Sequence, residues 1–371
     1  MCPDSPPATE VVGTAPAVVR DALDRRDPLP GTTGFAGTLD GRLLRDVLGR
    51  QPLFSEAGDP ATWSRDPRDF EAPRRVPAGH VRTAAGDERV WSLPDPSPDP
   101  ASGSSGDRAV GAVREALDAT LASVEEPGAV AYSGGVDSAL LAARLDAPLY
   151  VTGFPDSHDL SAARSGARTL GRDLRTVELD HRTLEAAVPR VARAIRRTNA
   201  MDVAIALPLF LVAERAAADG HGRLAVGQGA DELFGGYAKV ARAPEDPRVA
   251  AGTVRGARRE VVQSLPDQLE RDTLALRAAG VEPVTPLLDD RIVAAALELP
   301  SGLLVSGRGE RKWTLRLAAR GLVPDRLVFR EKKAVQYGSL VSRELDRLAR
   351  QAGFKRRTDD HVRRYVESRL E

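Results

Sequence analysis

Residues 129–141 read Ala129-Val130-Ala131-Tyr132-Ser133-Gly134-Gly135-Val136-Asp137-Ser138-Ala139-Leu140-Leu141, and this stretch decides the fold. An apolar run suited to a buried strand breaks at Ser-Gly-Gly and resumes as an apolar-rich helical pattern running through Leu145. The stretch is therefore a strand, a tight turn and a helix start. Such a turn binds anions. Gly134 and Gly135 let main-chain N–H groups approach phosphate oxygens with no Cβ in the way, and the first N–H groups and dipole of the following helix favour negative charge. Ser133 and Ser138 add hydroxyl donors. Asp137 is the odd member, because a carboxylate beside phosphates is repulsive unless a cation such as Mg²⁺ bridges them. A bare Ser-Gly-Gly is often a ligand-free elbow; Asp and Ser at these offsets weigh against that reading.

Outward from this loop the alternation repeats. Residues 108–125 read as a helix, 147–153 as a second strand, 159–171 as a helix and 174–179 as a third strand; 184–197 and 204–218 read as helices and 223–226 as a fourth strand. From Thr253 onward the chain reads as mostly helical. Strands alternating with helices of this length mean βαβ units and a parallel sheet with helices on both faces, an α/β fold. Ligands in such sheets sit beyond the carboxyl ends of the strands. Three loops therefore matter: at Ser133, after Thr152-Gly153 and after Val226. The last runs Gly227-Gln228-Gly229-Ala230-Asp231-Glu232-Leu233-Phe234-Gly235-Gly236-Tyr237. Its four glycines admit close backbone approach, and its adjacent acids offer a carboxylate to a metal.

A chain of 371 residues suggests two domains. Its formal net charge of zero calls for neither nucleic acid nor a membrane surface. No apolar run approaches a bilayer span and the N-terminus lacks a secretory pattern, so the expected location is the cytoplasm. One cysteine excludes an internal disulfide framework and a cysteine-based structural zinc site. Of 53 basic residues only Lys239, Lys312, Lys332, Lys333 and Lys355 are lysines. Where lysine survives in so arginine-rich a chain, a compact point charge is indicated.

Residues 1–33 are rich in Pro and Ala, with one helix from about Ala17 to Arg26. From Gly34 to Leu93 the texture is β-like, short segments punctuated by Gly and Pro. Ser92 to Asp107 is a linker whose Pro, Ser and Asp content cannot support a packed core. The expected domains are a small β-rich one over 1–98, a linker over 99–107, and the α/β domain with its helical C-terminal part over 108–371.

These motifs together resemble a known family. Ser133–Ser138 resembles the pyrophosphate loop of the N-type ATP pyrophosphatases, which release AMP and pyrophosphate. The run from Gly227 to Tyr237 resembles the synthetase domain of asparagine synthetases and of the related β-lactam synthetases. Pro286-Leu287-Leu288-Asp289, the helix Lys312-Trp313-Thr314-Leu315-Arg316, and the loop from Arg330 to Ser339 with Lys332 and Lys333 resemble further segments of that family. Three of the five lysines fall in the last two. Over 34–93, Arg45-Asp46-Val47-Leu48-Gly49-Arg50-Gln51-Pro52-Leu53 and Val76-Pro77-Ala78-Gly79-His80 resemble the later part of its glutaminase domain, shortened to about half. Cys2 is similar to the N-terminal nucleophile of that domain, but Pro3 stands where the family has glycine, and the glutamine-binding segments have no clear counterpart. A small β scaffold without amidase activity is the preferred reading, with Cys2 a relic.

The resemblance implies an ATP-dependent, AMP-forming ligase, with aspartate to asparagine as first expectation. A small-molecule carboxylate attacks the α-phosphorus of ATP, and ammonia or an amine then displaces AMP. It implies that Ser133, Gly134, Gly135 and Ser138 cradle pyrophosphate, that Asp137 and Asp231 hold Mg²⁺, and that Lys312 and Lys332 are catalytic. Tyr132, Thr152, Val226 and Gly227 match positions that touch adenosine. Gln228 is a third catalytic position by this resemblance, placed near the acyl carbonyl and incoming ammonia; it stands where the asparagine-forming members have glutamate, and Gln cannot act as a base. Ala206-Leu207-Pro208 replaces Ser-Thr-Pro on the substrate side. Another acyl-adenylating ligase, β-lactam synthetase-like, and a non-catalytic nucleotide-binding paralogue are the alternatives; a homodimer is one assembly open to the chain.

Overall fold

Ala129–Ala131 and Leu149–Gly153 are apolar runs with almost every residue buried, which a parallel sheet allows only where helices cover both faces. The computed structural model describes residues 9–95, 106–243, 245–331, 335–356 and 360–370. The strands in chain order are β1 (Glu10–Val12), β2 (Ala36–Leu39), β3 (Arg42–Arg45), β4 (Phe54–Glu56), β5 (Trp63–Ser64), β6 (Pro73–Arg75), β7 (His80–Thr83), β8 (Gly86–Arg89), β9 (Ala129–Ala131), β10 (Leu149–Gly153), β11 (Leu174–Glu178), β12 (Arg223–Ala225) and β13 (Glu282–Val284). The helices are α1 (Pro16–Arg25), α2 (Gly106–Ala122), α3 (Val136–Arg144), α4 (His158–Leu170), α5 (His181–Ile195), α6 (Ala200–Ala218), α7 (Ala230–Leu233), α8 (Ala238–Ala241), α9 (Val254–Gln263), α10 (Leu265–Ala278), α11 (Asp290–Leu297), α12 (Ser301–Leu304), α13 (Trp313–Ala319), α14 (Asp325–Val328), α15 (Val335–Gly338), α16 (Val341–Gln351) and α17 (His361–Ser368). None is long and apolar enough to cross a membrane. The chain divides into two compact units. One comprises Met1–Thr120, Gln228–Glu270 and Thr285–Ala318; the other comprises Leu121–Gly227, Arg271–Val284 and Ala319–Glu371.

The second unit carries the parallel sheet. β10 pairs in parallel with β11 and with β9, β12 pairs in parallel with β13, and a bridge between Gly128 and Leu224 joins the two ladders. The order is thus β11-β10-β9-β12-β13. Chain progression runs from β9 toward β11 and then returns to β12 on the opposite side of β9. That reversal is a topological switch point, where the carboxyl ends of neighbouring strands splay and leave a crevice. The loops after β9 and β12 both open there. One core joins Tyr150, Leu184, Val188, Val191, Leu207, Phe210 and Leu224 with Val341, Leu345 and Tyr365 of α16 and α17. α3 and α4 accompany β9 and β10.

The four strands and their helices fall where the sequence places them. β13 does not: the segment after Thr253 reads as helical, yet Glu282-Pro283-Val284 pairs with β12. Three residues containing proline show no periodicity. A proline is tolerated there because β13 is an edge strand. Likewise α2 starts at Gly106, two residues inside the expected linker, whose residues 96–105 lie outside the described ones.

The first unit is built on two antiparallel sheets, β1-β2-β3-β7-β8 and β5-β4-β6. Ala36, Leu43, Leu53 and Val76 are packed together at 0 % exposure, which fits the β-rich reading of 34–93. The same unit holds α7, α9 and α11, fastened by one residue. Arg258 is 1 % exposed and donates to Leu233 O (3.5 Å) of α7 and to Ala296 O (2.7 Å) and Leu297 O (3.0 Å) of α11. Burial first, then Arg255 and Arg259, pull its pKa down to about 10. Arg258→Met would leave three carbonyls without that donor in a dry setting. Denaturant unfolding should then show a loss of about 3 kcal/mol.

Candidate functional site

β9 ends where Ser133 interrupts its apolar run, and the chain turns through Gly134 at φ +77°, a left-handed conformation that favours glycine. A Cβ there would also meet Ala162 C and O of α4 at 2.9 and 3.0 Å. Gly135 then caps α3 without a side-chain bond of its own. Ser138 ties the turn instead of capping the helix. Its hydroxyl donates to Gly135 O (3.2 Å) and accepts from Ser133 N (3.2 Å), bracing the loop from both sides. The first turn of α3 also carries Asp137, and Gly227 passes so close that a Cβ on it would lie 3.0 Å from Asp137 Cβ. Gly134, Ser138, Asp137 and Gly227 thus come together at the switch point within one unit.

The positions expected from the sequence to touch adenosine, Tyr132, Thr152, Val226 and Gly227, lie in the same unit. Val226 is buried and donates its N–H to Val284 O (2.9 Å). Thr152 is buried and its hydroxyl donates to Val177 O (2.8 Å), so that side chain ties β10 to β11. Tyr132 is 1 % exposed and its ring lies against α4, where any Cβ on Gly166 would collide with its hydroxyl. That hydroxyl finds no partner among the described residues. Burial pushes its pKa up to about 12, against a downward pull from Arg330.

The other unit contains the remainder of the acidic loop, from Gln228, which is half-buried. Gly229 (φ +88°) caps the single turn α7, which carries Asp231 and Glu232. Lys312 is buried, and its Nζ lies 2.9 Å from Asp231 Oδ1. Its backbone is left-handed at φ +56°, uncommon for a residue with a long side chain. Gly236 N donates to Asp231 O (2.7 Å), and Arg311 donates to Gly236 O (2.8 Å). Tyr237 donates its hydroxyl to Glu232 Oε1 (2.5 Å).

The motif marked Asp231 and Lys312 but gave no role to Glu232, Tyr237 or Arg311. Glu232 and Tyr237 were signalled only by the acidic doublet and the closing tyrosine of the motif, and Arg311 by nothing. Glu232 is 7 % exposed, and burial, reinforced by the Asp231 charge, raises its pKa to about 7. A carboxyl raised this way binds a proton in the folded state that the unfolded chain has released. Folding stability should therefore fall as pH rises from about 4.5 to about 7 and level off above. In metal-free protein, Glu232→Gln should flatten that part of the melting-temperature profile.

Carboxylate oxygens suit Mg²⁺, which takes one or two of them and completes its shell with water and substrate phosphate. Asp231 fits that donor set: its side chain is 45 % exposed with one oxygen on Lys312. Among the described residues no three His, Cys, Asp or Glu side chains gather as a protein-only metal cage. Lys332 and Cys2 lie outside the described residues.

Comparison with known proteins gives a family model described as asparagine synthase, which matches residues 111–260 and 241–368. A Methanocaldococcus jannaschii protein, named provisionally as glutamine-hydrolyzing asparagine synthetase 1, is 32% identical over 260 residues, 61% of this chain and 48% of that one. Asparagine synthetase B of Escherichia coli, also named glutamine-hydrolyzing, is 26% identical over 253 residues, 61% of this chain and 44% of its own. Glutamine-hydrolyzing asparagine synthetase 2 of Oryza sativa is 28% identical over 239 residues, covering 57% and 39% respectively. The matched part of the chain spans about half or less of these relatives' length.

Proposed function

This chain belongs to the asparagine synthase family, and from that premise we propose that it is a carbon-nitrogen ligase that couples amide formation to cleavage of ATP into AMP and pyrophosphate. The observation that supports this reading most is the turn at 133–138, braced by Ser138 with Asp137 in the first helical turn beside Gly227. In the first step a carboxylate oxygen attacks the α-phosphorus, the α–β bridge breaks, and pyrophosphate leaves. In the second an amine nitrogen attacks the acyl carbon, the C–O bond to AMP breaks, and the nitrogen loses a proton.

The chain's own residues have separate tasks. Main-chain N–H groups of Gly134 and Gly135, with the hydroxyls of Ser133 and Ser138, hold pyrophosphate. Tyr132, Thr152, Val226 and Gly227 hold adenosine. Asp137 and Asp231 are the carboxylates that would hold Mg²⁺, which when bound neutralises phosphate charge. Lys312 and Lys332 place positive charge on phosphate oxygens as that charge develops.

Aspartate with ammonia is the first substrate pair to test. Two features weaken that pair: Gln228 cannot take the proton from the incoming nitrogen, and Ala206-Leu207 offers no hydroxyl. The reading includes a cytoplasmic protein acting on small molecules, with size-exclusion chromatography as the check on a homodimer. We read residues 1–98 as a shortened glutaminase-like domain, 99–107 as a linker and 108–371 as the ligase domain.

Pyrophosphate and AMP release across a panel of carboxylates, with ammonium and with glutamine, tests the function. The expected result is ammonium-dependent AMP formation that survives Cys2→Ala, with no glutamate released from glutamine. No AMP with any carboxylate would overturn it.

A further inference from the structure

The shortened N-terminal module reaches the acidic loop through one buried arginine. Arg50 is 4 % exposed, and its Nε donates to Asp46 Oδ1 (2.8 Å). Its Nη1 donates to Asp290 Oδ1 (2.7 Å) and to Leu288 O (2.7 Å). Asp290 is held in turn: its Oδ2 accepts from Thr32 N (2.8 Å) and Thr32 Oγ1 (3.1 Å). Gly34, left-handed at φ +106°, makes room for this side chain, since a Cβ there would lie 2.6 Å from Arg50 Cβ and 2.7 Å from its Nε. The guanidinium fork thus grips residues 288–290 from strands and turns that precede residue 51.

Leu288 is the next link. It is fully buried, and its side chain fills the space beside Gly229, where a Cβ would collide with Cδ2 and lie 2.7 Å from Cγ. Gly229 O accepts from Leu233 N (2.8 Å), Ala230 O accepts from Phe234 N (3.2 Å), and Asp231 O accepts from Gly236 N (2.7 Å). A shift of Leu288 is therefore transmitted to the turn that carries Asp231, whose carboxylate pairs with Lys312.

We propose that Arg50 is a positioning residue for the ligase reaction, holding the Asp231 turn through Leu288 and Gly229. The N-terminal module then serves as a brace for the acidic loop. This rests on the proposed function only where turnover is the readout; the mechanical link stands or falls separately. Lys cannot replace Arg here, because one ammonium cannot span Asp46, Asp290 and a carbonyl in fixed directions.

Arg50→Lys and Leu288→Val in the full chain test the link. By hydrogen exchange, protection of the amides of Leu233, Phe234 and Gly236 should fall at least about tenfold in both, with protection in β9 and β10 unchanged. Turnover should fall about tenfold to a hundredfold, as expected for a misplacement near 1 Å, with KM for ATP little altered. If Arg50→Lys does not fold, Leu288→Val decides. Wild-type protection at 233–236 in the folded variants, or an equal loss in β9 and β10, would overturn the proposal. A wild-type protein inactive on every carboxylate would sink the ligase reading, and the exchange result would still decide the brace.

Discussion

With alanine in place of Gly236, pyrophosphate release should fall by at least about a hundredfold while the protein stays folded. The added methyl would collide with Asp231 Oδ1 and sit 2.5 Å from Lys312 Cε and 2.7 Å from Asp231 Cα. It would be a wedge driven into an ion pair. Asp231 Cα is main chain and cannot swing aside as a side-chain end can, and the Gly236 peptide is tied by its N–H to Asp231 O and by its carbonyl to Arg311. Because Asp231 and Lys312 are assigned to the phosphates, separating them removes charge stabilisation that matters most in the transition state. Wild-type turnover in a folded Gly236→Ala protein would refute those assignments.

Gly134→Ala should weaken ATP binding about a hundredfold by calorimetry. Two costs combine at this position. A non-glycine residue in the left-handed region costs roughly 1–2 kcal/mol, and the methyl would press on Ala162 C, Ala162 O and Ala163 N at 2.9 to 3.1 Å. Those atoms are helix backbone, so no rotamer change relieves the contact, and the loop must open. Opening it moves the N–H groups proposed to hold pyrophosphate. Gly171→Ala is the control, since Gly171 is also left-handed at φ +64° but has nothing within 4 Å. That variant should bind ATP as the wild type does.

The parallel sheet was legible because short strand segments alternate with helices of ordinary length, and length separates the two periodicities. β13 was not legible, since Glu282-Pro283-Val284 acquires its identity only from the neighbour it pairs with. At the site, glycines and acids stood out by type and spacing. What sequence could not show was how ordinary residues hold them. Nothing about Leu288 or Arg258 announces that one fills the space beside Gly229 and the other ties α7 to α11. Their roles arise from contacts between distant stretches, which no local pattern encodes. Glu232 is intermediate: its charge was visible, but the burial that raises its pKa was not.

The pairing of Arg50 with Asp290 joins residues 240 positions apart, and Thr32 reaches the same carboxylate across 258. On a ribosome adding about 5–20 residues per second, the N-terminal sheets must wait roughly ten to fifty seconds for that partner. Until then Arg50 has only Asp46 and the Thr32 carbonyl as partners. The first segment made is thus among the last to be completed, and its unfinished surface is exposed throughout translation of the α/β unit. Long-range closure of this kind slows folding and favours association between incomplete chains. Refolding yield should accordingly depend on protein concentration and improve with chaperone, and the N-terminal module should gain protease resistance only when residues 285–318 have joined it.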